Sequence, residues 1–209
     1  MTRARDAQAA AEAGADYLGF IFYPKSPRGI RQERFRDIAP RLPDLPKVAV
    51  TVAPDLYTLA QLEGLGFDYF QLHFPVGLSE EVASWSKLVG KERLWIAPKL
   101  PPGVNFDPAL LDLAGGVLWD GFKKDADAYG GTGSLSDWES FRKLREEYSA
   151  TKWILAGGLS PENAVEALEQ TGAECLDFNS ALEIEPGVKD LERISQVRVS
   201  ISEATGLSS

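Results

Sequence analysis

Short apolar runs alternate with helical segments along almost the whole chain, and this alternation limits the fold more than any other feature. The runs are apolar throughout, which is typical of parallel strands that are covered on both faces. Seven strands are predicted, at residues 16–22, 47–52, 67–72, 93–97, 117–119, 152–156 and 175–178. Eight helices are predicted, at about 2–13, 32–42, 55–64, 79–89, 109–113, 137–148, 160–170 and 188–201. Asp55, Ser79 and Ser160 are predicted to cap the N-termini of three of these helices.

The order of these elements favours an α/β barrel. A helix comes first, and strands and helices then alternate, so eight helices accompany seven strands. We therefore predict a (β/α)8 TIM barrel whose first β-strand is absent from this chain, although a doubly wound sheet has the same alternation. At 209 residues the chain is short for a barrel, which typically has about 250. No linker is evident, so a single barrel domain over residues 1–209 is expected, truncated at its N-terminus.

Composition narrows the class of partner. A net charge of −9 disfavours a nucleic-acid partner, although an anionic small molecule can still bind at a locally positive site. No apolar run is long enough for a transmembrane helix, so no membrane partner is expected. The start lacks the apolar core of a signal peptide, and the single cysteine, Cys175, forms no internal disulfide. These features predict a cytoplasmic protein.

Asp120 is the leading candidate for catalysis. It follows the apolar run Val117-Leu118-Trp119 directly, and barrels carry their chemistry in the loops after the strands. The apolar surroundings favour a raised carboxyl pKa and thus a proton donor near neutral pH. A salt-bridged structural aspartate is the alternative. Gly131, in the glycine-rich loop that follows, is predicted to line the substrate pocket.

Two polar turns after the last two strands predict a phosphate site. Gly157-Gly158 precedes a helix, and Asn179, Ser180 and Ala181 follow the final strand. Barrels often bind phosphate there, with free backbone amides and a helix N-terminus. A Gly-Gly pair alone is more often a tight turn, but two such clusters after consecutive strands favour phosphate.

Three further side chains near the predicted strand ends are candidates for a functional role. Arg28 lies on a proline-stiffened loop, and its planar guanidinium suits a carboxylate or phosphate, whereas the alternative is a solvated surface arginine. His73 is the only histidine, and such a residue is more often hydrogen-bonded at a strand end than catalytic. Cys175 lies roughly 10 Å below the rim, so a buried inert thiol is expected rather than a nucleophile or base.

At these residues the chain closely resembles phosphoribosylanthranilate isomerase, a (β/α)8 barrel family of tryptophan biosynthesis. The resemblance covers the whole chain, and its most specific parts are Tyr-Pro-Lys-Ser-Pro-Arg and Asp-Phe-Asn-Ser-Ala. The matching segments are residues 2–7, 13–16, 19–28, 71–73, 118–120, 130–138, 155–163 and 176–190.

The resemblance implies a reaction and roles for individual residues. The family carries out an Amadori rearrangement of N-(5-phosphoribosyl)anthranilate without a metal or an organic cofactor. Asp120 aligns with the general acid, and Arg28 with the arginine that contacts the anthranilate moiety. His73 is assigned to substrate binding. The Gly157-Gly158 pair and the turn Asn179-Ser180-Ala181 align with the phosphate site.

One family feature is missing from these 209 residues. The family's base is a cysteine in Lys-Ile/Val-Cys-Gly on the first strand, just before the segment that matches Met1-Thr2-Arg3. We expect Met1 to be an internal methionine, which the coding DNA upstream would reveal. Without that strand we expect a chain that is inactive, less stable and prone to associate, or closed by another segment.

Three functions remain open from sequence. The first is the isomerase, acting as a monomer or homodimer on its phosphosugar-anthranilate substrate. The second is a non-catalytic sugar-phosphate-binding barrel. The third is another sugar-phosphate barrel enzyme, such as an epimerase or indole-glycerol-phosphate synthase. It is disfavoured because the Arg28 loop and the surroundings of Asp120 fit the isomerase.

Overall fold

A computed structural model describes residues 1–101, 103–120 and 137–205. Six parallel strands form one sheet, and a short antiparallel hairpin follows them. The strands are β1 Leu18–Ile21, β2 Lys47–Val52, β3 Tyr69–Pro75, β4 Leu94–Lys99, β5 Gly116–Trp119 and β6 Lys152–Leu155, with β7 Glu183–Glu185 and β8 Val188–Lys189 in the hairpin. The helices are α1 Ala4–Glu12, α2 Gln32–Ile38, α3 Leu56–Glu63, α4 Ser79–Val89, α5 Trp138–Glu147, α6 Ala164–Thr171 and α7 Leu191–Thr205.

The sheet follows the chain from one edge to the other. Strands β1 to β6 pair in sequence order, and every pair is parallel. Leu176 extends the sheet by one bridge beside Leu155 of β6. Within the described ranges, no strand lies between that segment and β1. The architecture is therefore the predicted (β/α)8 barrel without its first strand.

Two apolar cores explain why the strands are apolar throughout. One core lies inside the barrel, and the other lies between the sheet and the helices. The first consists of Val48, Trp95, Ala97, Leu118, Ile154 and Ala156. Alternate residues of the same strands, such as Ala49 and Ile96, belong to the outer core. Because successive side chains of a strand point to opposite faces, a strand covered on both faces has no position that favours water.

The C-terminal part differs from the sequence prediction. The predicted strand at 175–178 pairs only at Leu176. The predicted helix at 188–201 begins at Leu191, because Val188 and Lys189 form β8 and pair with β7. The turn between them contains Gly187 at a φ of 84°, a conformation that favours glycine. The Pro186-Gly187 pair was an available turn signal.

Three helix predictions also need correction. Ser79 and Ser160 do not cap α4 and α6. Ser79 is the first residue of α4, and α6 begins at Ala164 after a turn, with Asn163 at the cap position. The predicted fifth helix is a 3-10 turn over Pro108–Asp112, so the described residues contain seven α-helices. The cap predicted at Asp55 is confirmed, because its side chain accepts from the Thr58 backbone N–H.

An aromatic cluster fastens α2 to the sheet. Phe67 is 2% exposed, and its ring centroid lies 4.5 Å from Phe35, 5.4 Å from Phe22 and 6.1 Å from Phe20. Phe20 lies in β1, Phe22 directly follows that strand, and Phe35 lies in α2. Phe67, just before β3, therefore joins three elements. A cavity here would therefore be difficult for the surroundings to fill.

We predict that Phe67→Ala lowers the free energy of unfolding by about 3–5 kcal/mol, because it removes ring contacts and leaves a cavity. Urea unfolding followed by circular dichroism measures the loss. Tyr57→Ala is the control, since Tyr57 is 73% exposed and its loss should change stability by less than about 0.5 kcal/mol. Equal effects of the two substitutions would contradict the assignment of Phe67 to the core.

Candidate active site

The strand register brings Asp120 to one edge of the sheet together with the residues that end neighbouring strands. Trp119 pairs with Leu155, which forms a bridge with Leu176. The next residues along each segment, Asp120, Ala156 and Asp177, therefore reach the same level. Leu118 lies in the inner core, so Asp120, two residues later, continues its strand on the inner face. The Asp120 residue is half-buried.

The loop after β6 is held in a conformation that needs its two glycines. Gly157 has a φ of 87° and Gly158 a φ of 68°, a backbone region that other residues rarely adopt. The Asn163 side-chain amide donates to the Gly158 carbonyl oxygen at 3.0 Å, and its Oδ1 accepts from the Ser160 N–H at 2.8 Å. The loop is thus fixed in shape immediately before α6.

The second predicted phosphate turn is fixed by two cations from the C-terminal segment. Asn179 precedes a 3-10 turn over Ser180–Leu182. Lys189 Nζ donates to the Asn179 carbonyl oxygen at 2.8 Å and to its Oδ1 at 2.9 Å. Arg193 Nε donates to the Ala181 carbonyl oxygen. Both cations come from beyond the turn itself, which orders the turn and adds positive charge beside it.

Arg28 is paired with a buried carboxylate rather than solvated. Its Nε donates to Glu183 Oε2 at 2.6 Å, and its side chain is 17% exposed. Glu183 lies in β7, directly after the Asn179 turn. The loop predicted to contact anthranilate and the turn predicted to hold phosphate therefore lie side by side.

His73 has an environment that favours its neutral form. Burial lowers the pKa of the imidazole from 6.5 to about 4. The Gln71 Nε2 lies 3.1 Å from His73 Nε2, and since an amide nitrogen only donates, the neutral ring accepts through this atom. His73 is thus hydrogen-bonded near the end of β3, and its role in substrate binding stays a prediction.

Asp177 lies at the same edge of the sheet as Asp120 and is not among the residues predicted from sequence. Burial raises the pKa of its carboxyl, while a hydrogen bond from Gln71 and the charge of Lys189 act in the opposite direction. The signal was available, because Leu176 places an apolar strand residue directly before a carboxylate, as Trp119 does before Asp120.

Cys175 has no feature of a reactive thiol. Burial raises its pKa to about 11, so the thiol stays protonated at neutral pH. It packs against the inner core two residues before Asp177, about 7 Å deeper in the barrel. This agrees with the expectation of an inert cysteine.

Two further positions are Gly131 and Met1. Gly131, predicted to line the pocket, lies outside the described residues. The main-chain nitrogen of Met1 donates to the Gly19 carbonyl oxygen of β1, on the side of that strand where the sheet ends.

Comparison with known proteins gives a consistent result. The family model for N-(5'phosphoribosyl)anthranilate (PRA) isomerase matches residues 1–199. An N-(5'-phosphoribosyl)anthranilate isomerase of Syntrophus aciditrophicus is 36% identical over 209 residues, covering 99% of this chain and 86% of the relative. The crystal structure of phosphoribosyl anthranilate isomerase from Thermus thermophilus is 28% identical with a TM-score of 0.79, covering 97% of this chain and 96% of that one.

A further solved structure contains a ligand. It is phosphoribosyl anthranilate isomerase in complex with reduced 1-(o-carboxyphenylamino)-1-deoxyribulose 5-phosphate, and it is 28% identical with a TM-score of 0.72. The alignment covers 99% of this chain and 96% of that chain. In the part of this chain that the structure describes, no helix combines the length and apolar character needed to cross a membrane.

We predict that the imidazole of His73, the only one in the chain, titrates near pH 4 in the folded protein. Because folding lowers this pKa below its ordinary 6.5, the unfolded chain binds the proton more readily, and His73 lowers stability as the pH falls from about 6.5 towards 4. Proton NMR of the ring measures the pKa directly. A His73→Asn variant, compared by urea unfolding at pH 7 and pH 5, should lose less stability between the two than the parent chain. A ring that titrates near 6.5 would contradict the assigned environment.

Proposed function

This chain belongs to the N-(5'-phosphoribosyl)anthranilate isomerase family, and we propose that it binds N-(5'-phosphoribosyl)anthranilate and provides the acid half of its rearrangement to 1-(carboxyphenylamino)-1-deoxyribulose 5-phosphate. The observation that carries the proposal is the convergence of three features at one edge of the barrel. These are the Asp120 carboxylate, the ordered Arg28 side chain and the two turns after β6 and Leu176.

The phosphate group binds at the two ordered turns in this proposal. Gly157 and Gly158 offer backbone N–H groups just before a helix, and Asn179, Ser180 and Ala181 offer more at the start of a 3-10 turn. Backbone amides at such positions bind phosphate without a dedicated side chain. The fixed shape of both turns favours binding, because little conformational entropy is lost when the ligand enters.

The anthranilate group binds on the other side of the hairpin. Arg28 provides a planar fork for the anthranilate carboxylate, in the bidentate arrangement that guanidinium groups favour. His73 lines the same pocket as a neutral ring, which adds no charge beside the aromatic group. Gly131 is proposed to line the pocket from the loop after Asp120.

Asp120 acts as the general acid in this mechanism. It donates a proton to the ring oxygen of the ribofuranose, the bond between C1 and that oxygen breaks, and the anthranilate nitrogen supplies the electron pair that forms the Schiff base. A base then takes the proton from C2, which gives an enolamine. Tautomerisation of the enolamine yields the ketone, so the atoms of substrate and product balance without a co-reactant.

In this proposal none of these 209 residues is assigned as the base. The only cysteine, Cys175, is a protonated thiol deep in the barrel. The family resemblance places the base on a strand ahead of the segment matching Met1, and the Met1 nitrogen donates to Gly19 on the side of β1 that pairs with no described strand. We infer that the 209-residue polypeptide alone binds substrate but turns it over poorly.

A non-catalytic sugar-phosphate-binding barrel is therefore the second candidate for this polypeptide. It is favoured by the same observation, since both phosphate turns are ordered while the only thiol has a pKa of about 11. The two candidates differ in turnover and agree on the ligand.

We predict that adding Lys-Val-Cys-Gly ahead of Met1 raises kcat for phosphoribosylanthranilate by about 10²–10⁴-fold, the range typical of a general base. Replacing the added cysteine with alanine should remove this gain in kcat. A fluorescence assay of the reaction measures kcat for the extended chain and for this variant. Full turnover by the 209-residue chain would show that the base is not the added cysteine.

In the extended chain, Asp120→Asn should lower kcat by about 10²–10⁴-fold and leave KM nearly unchanged, because the amide keeps the shape but has no proton to donate to the ring oxygen. Asp112→Asn is the matched control, since Asp112 is exposed in the 3-10 turn before β5. Activity that survives in Asp120→Asn would remove this residue from the mechanism.

A further inference from the structure

Glu183 is a buried carboxylate that two cations share. Its Oε2 accepts from Arg28 Nε at 2.6 Å, and its Oε1 accepts from Lys189 Nζ at 3.3 Å and from the Gly187 N–H at 3.2 Å. The side chains of Glu183, Arg28 and Lys189 are 4%, 17% and 6% exposed. Both carboxylate oxygens are thus occupied by donors that come from different segments of the chain.

Such a cluster is better suited to fixing geometry than to adding stability. Removing three charged groups from water costs much of what their mutual attraction returns, so a buried ion pair is weak evidence of stabilisation. Its geometry is nevertheless well defined, because each carboxylate oxygen accepts from named donors. The defined geometry suits Glu183 to orienting the two cations that donate to it.

The pairing with Glu183 orients the Arg28 guanidinium. Among the described residues, Nε is the atom of the Arg28 guanidinium for which a hydrogen-bond partner is seen. Because the guanidinium is planar, a bond at Nε sets the plane and direction of the two terminal nitrogens. Those terminal nitrogens form the edge that can accept a second carboxylate in bidentate fashion.

Lys189 extends this connection to the phosphate turn. The same Nζ that donates to Glu183 also donates to the carbonyl oxygen and Oδ1 of Asn179. The hairpin residues Glu183 and Lys189 therefore join the Arg28 loop to the Asn179 turn through hydrogen bonds alone. In the chain, Arg28 and Asn179 are far apart, and the hairpin sets the spacing between them.

We propose that Glu183 is a positioning residue for the anthranilate carboxylate. It holds Arg28 in the orientation that receives this group, and with Lys189 it sets the distance between the carboxylate subsite and the phosphate turn. This inference rests on the proposed function, which assigns the anthranilate carboxylate to Arg28 and the phosphate to Asn179.

A comparison of two ligands tests the proposal. The first is reduced 1-(o-carboxyphenylamino)-1-deoxyribulose 5-phosphate, and the second is the same compound without the carboxyl group. Calorimetry gives the Kd of each variant for both ligands. The preference of a variant is its Kd for the second ligand divided by its Kd for the first. Because neither ligand reacts, the measurement does not depend on the base.

We expect Glu183→Gln to lower this preference by about tenfold, as the loss of one well-oriented charge-assisted contact implies, and to leave the affinity for the second ligand nearly unchanged. Glu185→Gln, an exposed carboxylate on the same hairpin, should leave both affinities unchanged. In an Arg28→Lys background, Glu183→Gln should change the preference no further, since the orientation it provides is already lost.

Three results would overturn the proposal. If Glu183→Gln weakens both ligands equally while its circular dichroism matches the parent, Glu183 has only a structural role and the proposed function stands. If the parent chain binds neither ligand, the proposed function fails and this inference fails with it. If Glu183→Gln does not fold, Glu183→Asp is measured instead, because it keeps the negative charge but shortens the side chain by one methylene. Full retention of the preference in Glu183→Asp would likewise overturn the positioning role.

Discussion

The hydrogen-bonded register of the parallel strands determines the level at which the described residues at the strand ends lie. Because the strands are parallel and pair in sequence order, their C-terminal ends all lie at one edge of the sheet. The residue that follows each strand lies at this edge, level with the corresponding residue of the neighbouring strand. Asp120 and Asp177 reach that edge in this way, through the pairing of β5, β6 and Leu176. The inner core beneath them then fixes which side chains face the cavity, because a shift by one residue would exchange the two faces of a strand.

Contacts outside the sheet join its two edges, which no strand pairing joins in the described residues. Asp6 of α1 is fully buried, accepts from Arg3 at 2.7 Å and 2.9 Å, and accepts from the Lys189 backbone N–H at 3.2 Å. The Thr2 hydroxyl donates to the Gly187 carbonyl oxygen. Helix α1 also packs beside α7. In the described residues the first helix is therefore attached to the C-terminal hairpin, and the hairpin occupies the position from which it holds both Arg28 and Asn179.

The sequence predicted those parts of the fold and site that depend on local pattern. Strand β2 has the predicted bounds Lys47–Val52, and the Asp55 cap forms as expected, because each depends on residues a few positions apart. The placement of Asp120 at a strand end was equally local. The partner of Arg28 was not predictable in this way, since Glu183 lies 155 residues further along the chain. The Ser79 and Ser160 predictions failed because a capping residue type indicates a turn without fixing which of its residues begins the helix.

The local charges are compatible with binding of the proposed substrate, which carries a phosphate and a carboxylate, by a protein of net negative charge. The chain has a net charge of −9, which repels anions at long range, but salt screens that field over about 8 Å at physiological ionic strength. Near the hairpin, one carboxylate serves two cations, so Arg28 and Lys189 together exceed Glu183 by one positive charge. Burial raises the pKa of the Asp177 carboxyl and lowers the pKa of the Lys189 ammonium, so it disfavours the charged form of both groups. In the proposed binding mode the phosphate and the carboxylate approach these two cations, and because Glu183 offsets only one positive charge, it can orient Arg28 without cancelling the attraction.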